Sequence, residues 1–286
     1  MEATQNTQSL GLIAPFTYLS PLLMKVRPPR HLTTTLTHIF TEASTIPLAA
    51  MTAAIGLYQL LGLPAPWSPT TTPTPVIIYG GSSAVGSFAI QLAIQSNIHP
   101  LIVVAGKSCD HVASLIDKSK GDEVLDYRVG PAELVVALRA TIQKTGKPML
   151  HAFDTISEHG SYLNLSEVMA PEGAKIVLVQ PSKDFSAIPG HIEKAFTYVG
   201  TVHGQNILGA PKEEKAGTQV GDKDFGAAYF KLMGRGLEKG WFKGHPYEVK
   251  PGGLGAVEQA LTDLKAGKAS AVKFVFRVAD TEGVKK

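Results

Sequence analysis

The residues best suited to chemistry in this chain are seven in a row: Gly80, Gly81, Ser82, Ser83, Ala84, Val85 and Gly86. They follow an apolar run at residues 76–79 and lead into Val85, Phe88, Ala89, Leu92 and Ala93, which recur at helical spacing. Aligned on Gly86, the segment reads G-x-S-x-x-G, with Ser83 where a dinucleotide fingerprint has its second glycine. Such a loop binds a diphosphate for three reasons. A tight turn at Gly81 aims backbone amides outward, the helix start carries partial positive charge, and Gly86 lets the helix approach the sheet. Small Ser83 still admits the diphosphate and adds a hydroxyl. The competing reading is a glycine-rich turn without a ligand, and the strand before and helix after weigh against it.

A carboxylate about 20 residues past such a loop would bind the ribose hydroxyls of NAD. That place instead reads Val104, Ala105, Gly106, Lys107 and Ser108. A lysine and a hydroxyl suit a 2′-phosphate, so Lys107 and Ser108 point to NADPH as cofactor. Tyr127, expected to end the third strand beside them, is a candidate for the adenine or the phosphate. His203, after the expected sixth strand, is a candidate nicotinamide contact, and Lys273 a candidate pyrophosphate cation. A second chemistry fits some of the same residues. Residues 80–84 form a degenerate nucleophile elbow, with Asp154 and His203 following in hydrolase order. Glycine does not flank the serine on both sides, and nothing suggests a separate oxyanion loop.

The elements that must hold these residues alternate. Short apolar runs predict strands at residues 76–79, 101–105, 124–127, 149–155, 175–179 and 196–202. Between them helices are expected around Val112, Leu115 and Ile116, over 132–143 and over 162–169. Six strands separated mostly by helices predict an α/β fold with a doubly wound parallel sheet of the Rossmann type. Before it, residues 64–75 are rich in proline and threonine and exclude regular helix or central strand. After it, residues 209–224 read as a loop, 225–239 and 254–265 as helices, and 271–278 as a closing strand. In that strand Val272, Phe274, Phe276 and Val278 share one face. The chain divides into an irregular leader (1–39), a dinucleotide-binding domain (40–243) and a C-terminal helix and strand (244–286).

Composition narrows the class further. With 44% hydrophobic and 18% charged residues the chain reads as an ordinary globular protein. A net charge of +3 without a Lys/Arg run gives no case for nucleic acid. One cysteine, Cys109, excludes an internal disulfide framework and a cysteine-rich zinc site. Residues 10–24 are apolar but carry Pro15 and Pro21 and lack a basic start, so neither a signal peptide nor a membrane span is expected. The chain is read as cytoplasmic.

Four stretches together carry a resemblance: residues 46–54 (IPLAAMTAA), 80–86 (GGSSAVG), 244–247 (GHPY) and 267–273 (GKASAVK). They resemble the medium-chain dehydrogenase/reductase superfamily, and within it a zinc-less branch of fungal enoyl reductases that act in trans on polyketide pathways. The resemblance runs from about residue 40 to the C-terminus. It implies a Rossmann sheet, NADPH, no metal, and reduction of an activated double bond. By position it gathers Thr52, Ser83, Lys107, Tyr127 and His203 around the cofactor, beside Gly81, Ser82, Ala84, Val85, Ser108 and Lys273. Such proteins begin with a GroES-like catalytic domain, of which residues 1–39 would be a truncated remnant. The closing strand, which normally completes that domain, then needs another partner, the leader or a second chain.

The expected function is an NADPH-dependent oxidoreductase reducing an enoyl or carbonyl substrate of secondary metabolism. The alternatives are a reductase scaffold turned to a non-redox step (cyclisation, isomerisation or dehydration) and a non-catalytic binding protein. Expected partners are a polyketide-type small molecule and either a second copy of the chain or a partner synthase. Tyr58, Tyr127, His203 and His245 are candidate proton donors.

Overall fold

The computed structural model describes residues 40–203 and 222–284. The leader and most of the loop expected at 209–224 lie outside the described residues. Residues 222–224, expected as the end of that loop, already belong to a helix.

Six parallel strands form one sheet: β1 (Val76–Tyr79), β2 (Leu101–Ala105), β3 (Glu123–Asp126), β4 (His151–Asp154), β5 (Lys175–Leu178) and β6 (Glu193–Phe196). Their order is β3-β2-β1-β4-β5-β6. Between β1 and β4 the winding reverses direction, which opens a crevice beyond their carboxyl ends. Strands β1 and β2 are buried along their whole length because helices cover both faces. Val76, Ile78, Leu101 and Val103 turn to one layer, which holds α1 (Pro47–Ala54), α2 (Ala84–Gln95) and α6 (Asp222–Lys239). Ile77, Tyr79, Ile102 and Val104 turn to the other, with α4 (Pro131–Thr145) and α5 (Ser161–Ser166). Each fully buried Ile or Val here contributes roughly 1.5–3 kcal/mol. Pro47 starts α1, and the helix widens into a π-helical turn over Ile55–Leu60.

Two expectations need correction. The sixth strand lies earlier than residues 196–202, at Glu193–Phe196, and Val199–His203 is a 3₁₀ turn. The apolar run there packs rather than pairs, because Val202 is buried against Gly226 of α6. Tyr127 does not end β3 but starts a 3₁₀ turn over Tyr127–Val129, with Asp126 capping it.

After α6, β7 (Tyr247–Lys250) and β8 (Lys273–Phe276) form a second, two-stranded parallel sheet, with α7 (Val257–Lys265) between them in sequence. The closing strand is therefore shorter than 271–278, and β7 of the same chain is its hydrogen-bonding partner. Lys250 Nζ lies 3.8 Å over the Phe274 ring. Among the described residues no helix is long and apolar enough to cross a membrane.

Candidate functional site

The glycine turn sits at the carboxyl end of β1, in the crevice beside β4. Ser83 is the N-cap of α2, and its Oγ accepts from the Gly86 amide at 3.0 Å. The turn is tied down by the Gly80 and Gly81 amides, which both donate to the Val104 carbonyl. Gly86 is required by space: a Cβ there would lie 2.2 Å from the Gly80 carbonyl oxygen and 2.8 Å from Gly81 Cα. Ser82, Ser83, Ala84 and Val85 remain partly exposed at the mouth of the turn.

Thr155, which follows β4, belongs to this site and was missed in the sequence. Its Oγ1 lies 2.7 Å from the Tyr79 carbonyl and donates to it, so it accepts the Ser83 hydroxyl at 2.9 Å. The register pairs Tyr79 with Asp154, which sets Thr155 beside Gly80. The rule that ligands bind where the sheet reverses direction could have pointed to it.

At the edge formed by β2 and β3, Lys107 is exposed and has no ion pair among the described residues. Asp126, the carboxylate at this edge, is paired with Arg128 at 2.6 Å, and that bond holds its pKa below the usual carboxylate range. The half-exposed Tyr127 ring packs over Gly106, where a Cβ would meet it at 2.6 Å. It also stacks on Tyr79 at 6.4 Å. Ser108 and Ser270, which comes from the loop before β8, hold their hydroxyls 2.9 Å apart.

The remaining expected residues lie on neighbouring segments. Thr52 is buried in α1 and donates to the Leu48 carbonyl one turn back at 2.8 Å. His203 is exposed at the end of its 3₁₀ turn, with its ring 6.3 Å from Phe230. Both segments pack together, since α1 touches the 3₁₀ turn, α2 and α6. Lys273 Nζ donates to the Thr45 carbonyl at 3.1 Å, and burial lowers its pKa.

The hydrolase arrangement is not assembled. Asp154 is buried and accepts from the Ile156 and Ser157 amides and the Ser161 hydroxyl, not from His203. Burial raises its pKa to about 6 in spite of those bonds. Of the candidate proton donors, Tyr58 donates to the Leu92 carbonyl and meets Ser96 at the far end of α2. Burial pushes its pKa up. His245 is only 2% exposed, and burial first, then Lys273 and His111, lower its pKa to about 4. Neither is available to a substrate in the crevice. Among the described residues no three His, Cys, Asp or Glu gather to hold a metal.

No protein-family model matches the chain. Trans-enoyl reductase fsr4 of Gibberella fujikuroi is 42% identical over 215 residues, covering 74% of this chain and 58% of that protein. Trans-enoyl reductase ACTTS2 of Alternaria alternata is 31% identical, covering 84% and 65%. Among solved structures, CurA of Vibrio vulnificus, determined in complex with NADPH, superposes with a TM-score of 0.53 at 16% identity. It covers 79% of this chain and 61% of that one. Other neighbours of the same fold are enoyl reductases. The chain is thus a homologue of the fungal trans-enoyl reductases, built on the Rossmann-type fold of medium-chain enoyl reductases, and it spans about three-fifths of the length of those relatives.

Proposed function

We propose that this chain binds NADPH along the carboxyl edge of β2, β1 and β4, and that the protein reduces an α,β-unsaturated acyl substrate of polyketide type. The observation that carries this is the Gly81–Ser83–Gly86 turn, set at the reversal point of the sheet in a chain whose curated relatives include trans-enoyl reductases.

The residues present fit the cofactor. Gly86 lets α2 start tight against the turn, since a Cβ there would collide with the Gly80 backbone, and a helix N-terminus held in that position suits a diphosphate. Ser82 through Val85 line its mouth. Lys107 and Ser108 supply a cation and a hydroxyl for a 2′-phosphate, with the nearby Asp126 already paired. Tyr127 offers a flat apolar face beside them for an adenine. Thr52 and His203 stand on the two segments that pack together on the α1 side, where the nicotinamide end would lie. Lys273 secures the C-terminal segment to Thr45. Bound NADPH would supply a hydride to the substrate's β-carbon, and a proton from solvent would be taken up at the α-carbon to complete the reduction.

Calorimetric titration with NADPH and with NADH, followed by NADPH oxidation with a simple enoyl thioester, tests the proposal. Preferred binding of NADPH and substrate-dependent oxidation are expected. Absence of binding by either dinucleotide overturns it. Conversion of a substrate without NADPH would replace it with the non-redox reading.

A further inference from the structure

The seam between the cofactor edge and the C-terminal segment holds a feature that the reductase reading does not use. Ser108 stands at the N-cap position of α3 (Cys109–Ala113), yet its side chain makes no capping bond. Its hydroxyl instead meets that of Ser270 at 2.9 Å, across 162 residues of sequence. Both hydroxyls are on the surface, next to Lys107. The residue after Ser270, Ala271, has φ +52°, a conformation that L residues keep only when their surroundings impose it. That conformation turns the loop and presents Ser270 to Ser108. Of the carboxylates on this side, Asp126 is engaged by Arg128 at 2.6 Å, while Asp110, in the first turn after Ser108, is exposed and sets a charge that the lysine and the two hydroxyls have to outweigh.

Two hydroxyls in mutual contact are a weak neutral pair with two rotatable protons. A phosphate monoester offers several acceptor oxygens and negative charge. Each hydroxyl can turn from its neighbour to such an oxygen, exchanging one neutral bond for two charge-assisted ones. We propose that Ser270 is a specificity-determining residue which, with Ser108 and Lys107, forms the seat of the cofactor's 2′-phosphate monoester. The C-terminal segment then reads which dinucleotide is bound. This rests on the NADPH reading above and extends it to a residue from outside the nucleotide-binding sheet.

The test is calorimetric titration of the full chain with NADPH and with NADH, using the wild type, Ser270→Ala, Ser270→Thr, Ser270→Asp and Lys107→Ala. Loss of one hydrogen bond to a charged group should weaken NADPH binding by Ser270→Ala about tenfold. NADH affinity and the unfolding temperature should stay unchanged. Ser270→Thr keeps the hydroxyl and should keep NADPH affinity, while Ser270→Asp should bind NADH better than NADPH. If Lys107→Ala loses NADPH affinity but Ser270→Ala binds NADPH as the wild type does, the role of Ser270 is overturned and the cofactor reading stands. A wild type that binds NADPH no better than NADH overturns both.

Discussion

The hydroxyls of Ser83 and Thr155 lie 2.9 Å apart and join the glycine turn after β1 to the end of β4. They bridge the two strands between which the sheet reverses direction, so the glycine turn is fixed from both sides. Thr155→Val keeps the shape of the side chain and removes the bridge. The Tyr79 carbonyl is not orphaned, because the Thr155 amide also donates to it. The expected cost is about 1 kcal/mol in stability, with a several-fold loss of dinucleotide affinity. Denaturant unfolding and calorimetry measure the two. A variant matching the wild type in both would show that the bridge is incidental.

Gly86→Ala is a harsher change. The new Cβ would fall 2.2 Å from a backbone oxygen, which cannot rotate away as a side chain can. Helix α2 must lift from the turn, at a cost of roughly 1–3 kcal/mol, and dinucleotide binding should drop at least tenfold. Retained affinity would mean that α2 does not have to sit so close to the turn.

Two buried groups should make stability depend on pH in opposite directions. Asp154 has a folded pKa of about 6 against an ordinary 3.8, so the folded chain keeps its proton longer as pH rises. Its contribution to stability is present below about pH 4 and is lost by about pH 6, on the order of 3 kcal/mol in all. His245 has a folded pKa of about 4 against 6.5, so the unfolded chain takes up the proton first as pH falls. Its contribution is present above about pH 6.5 and is lost towards pH 4. His151, also lowered by burial, acts in the same direction as His245. Asp154→Asn preserves acceptance from the two amides and removes one side of this balance. Its melting temperature should fall more steeply on acidification than that of the wild type. His245→Phe should show the reverse tilt. Parallel profiles for all three proteins would overturn the assignment.

Ala271, at φ +52°, is strained for any residue with a Cβ. Ala271→Gly should raise stability by about 1 kcal/mol at most, because relief in the folded chain is partly offset by greater freedom in the unfolded one. Differential scanning calorimetry measures it. A destabilised variant would show that the Ala271 methyl packs favourably enough to outweigh the strain.

What the sequence made legible was local. Strands β1, β2 and β5 are short apolar runs between turn residues, and burial on both faces makes such runs conspicuous. The glycine turn is contiguous, and its place between β1 and α2 could be read residue by residue. Strand β6 was misplaced because Glu193 and Lys194 lie exposed at the sheet edge and give no apolar signal. The apolar residues after it record contact with α6. Strand β7 passed unnoticed because Tyr247, Glu248, Val249 and Lys250 cover a small surface sheet of two strands. Thr155 meets the glycine turn, and Ser270 meets Ser108, only through tertiary structure, one by strand register and the other across 162 residues.

The bonds that hold the C-terminal segment to the start of the described chain bear on how the protein folds. The His245 amide donates to Thr45 Oγ1 across 200 residues, and Lys273 reaches the Thr45 carbonyl across 228. Contacts of such separation carry a large loop-closure entropy and form late, after the chain between them is already compact. Residues 244–273 are therefore expected to close over the sheet after it has formed. Ser270 would then be among the last to take its place, and its contact with Ser108 would be completed only on chains whose six-stranded sheet has already folded.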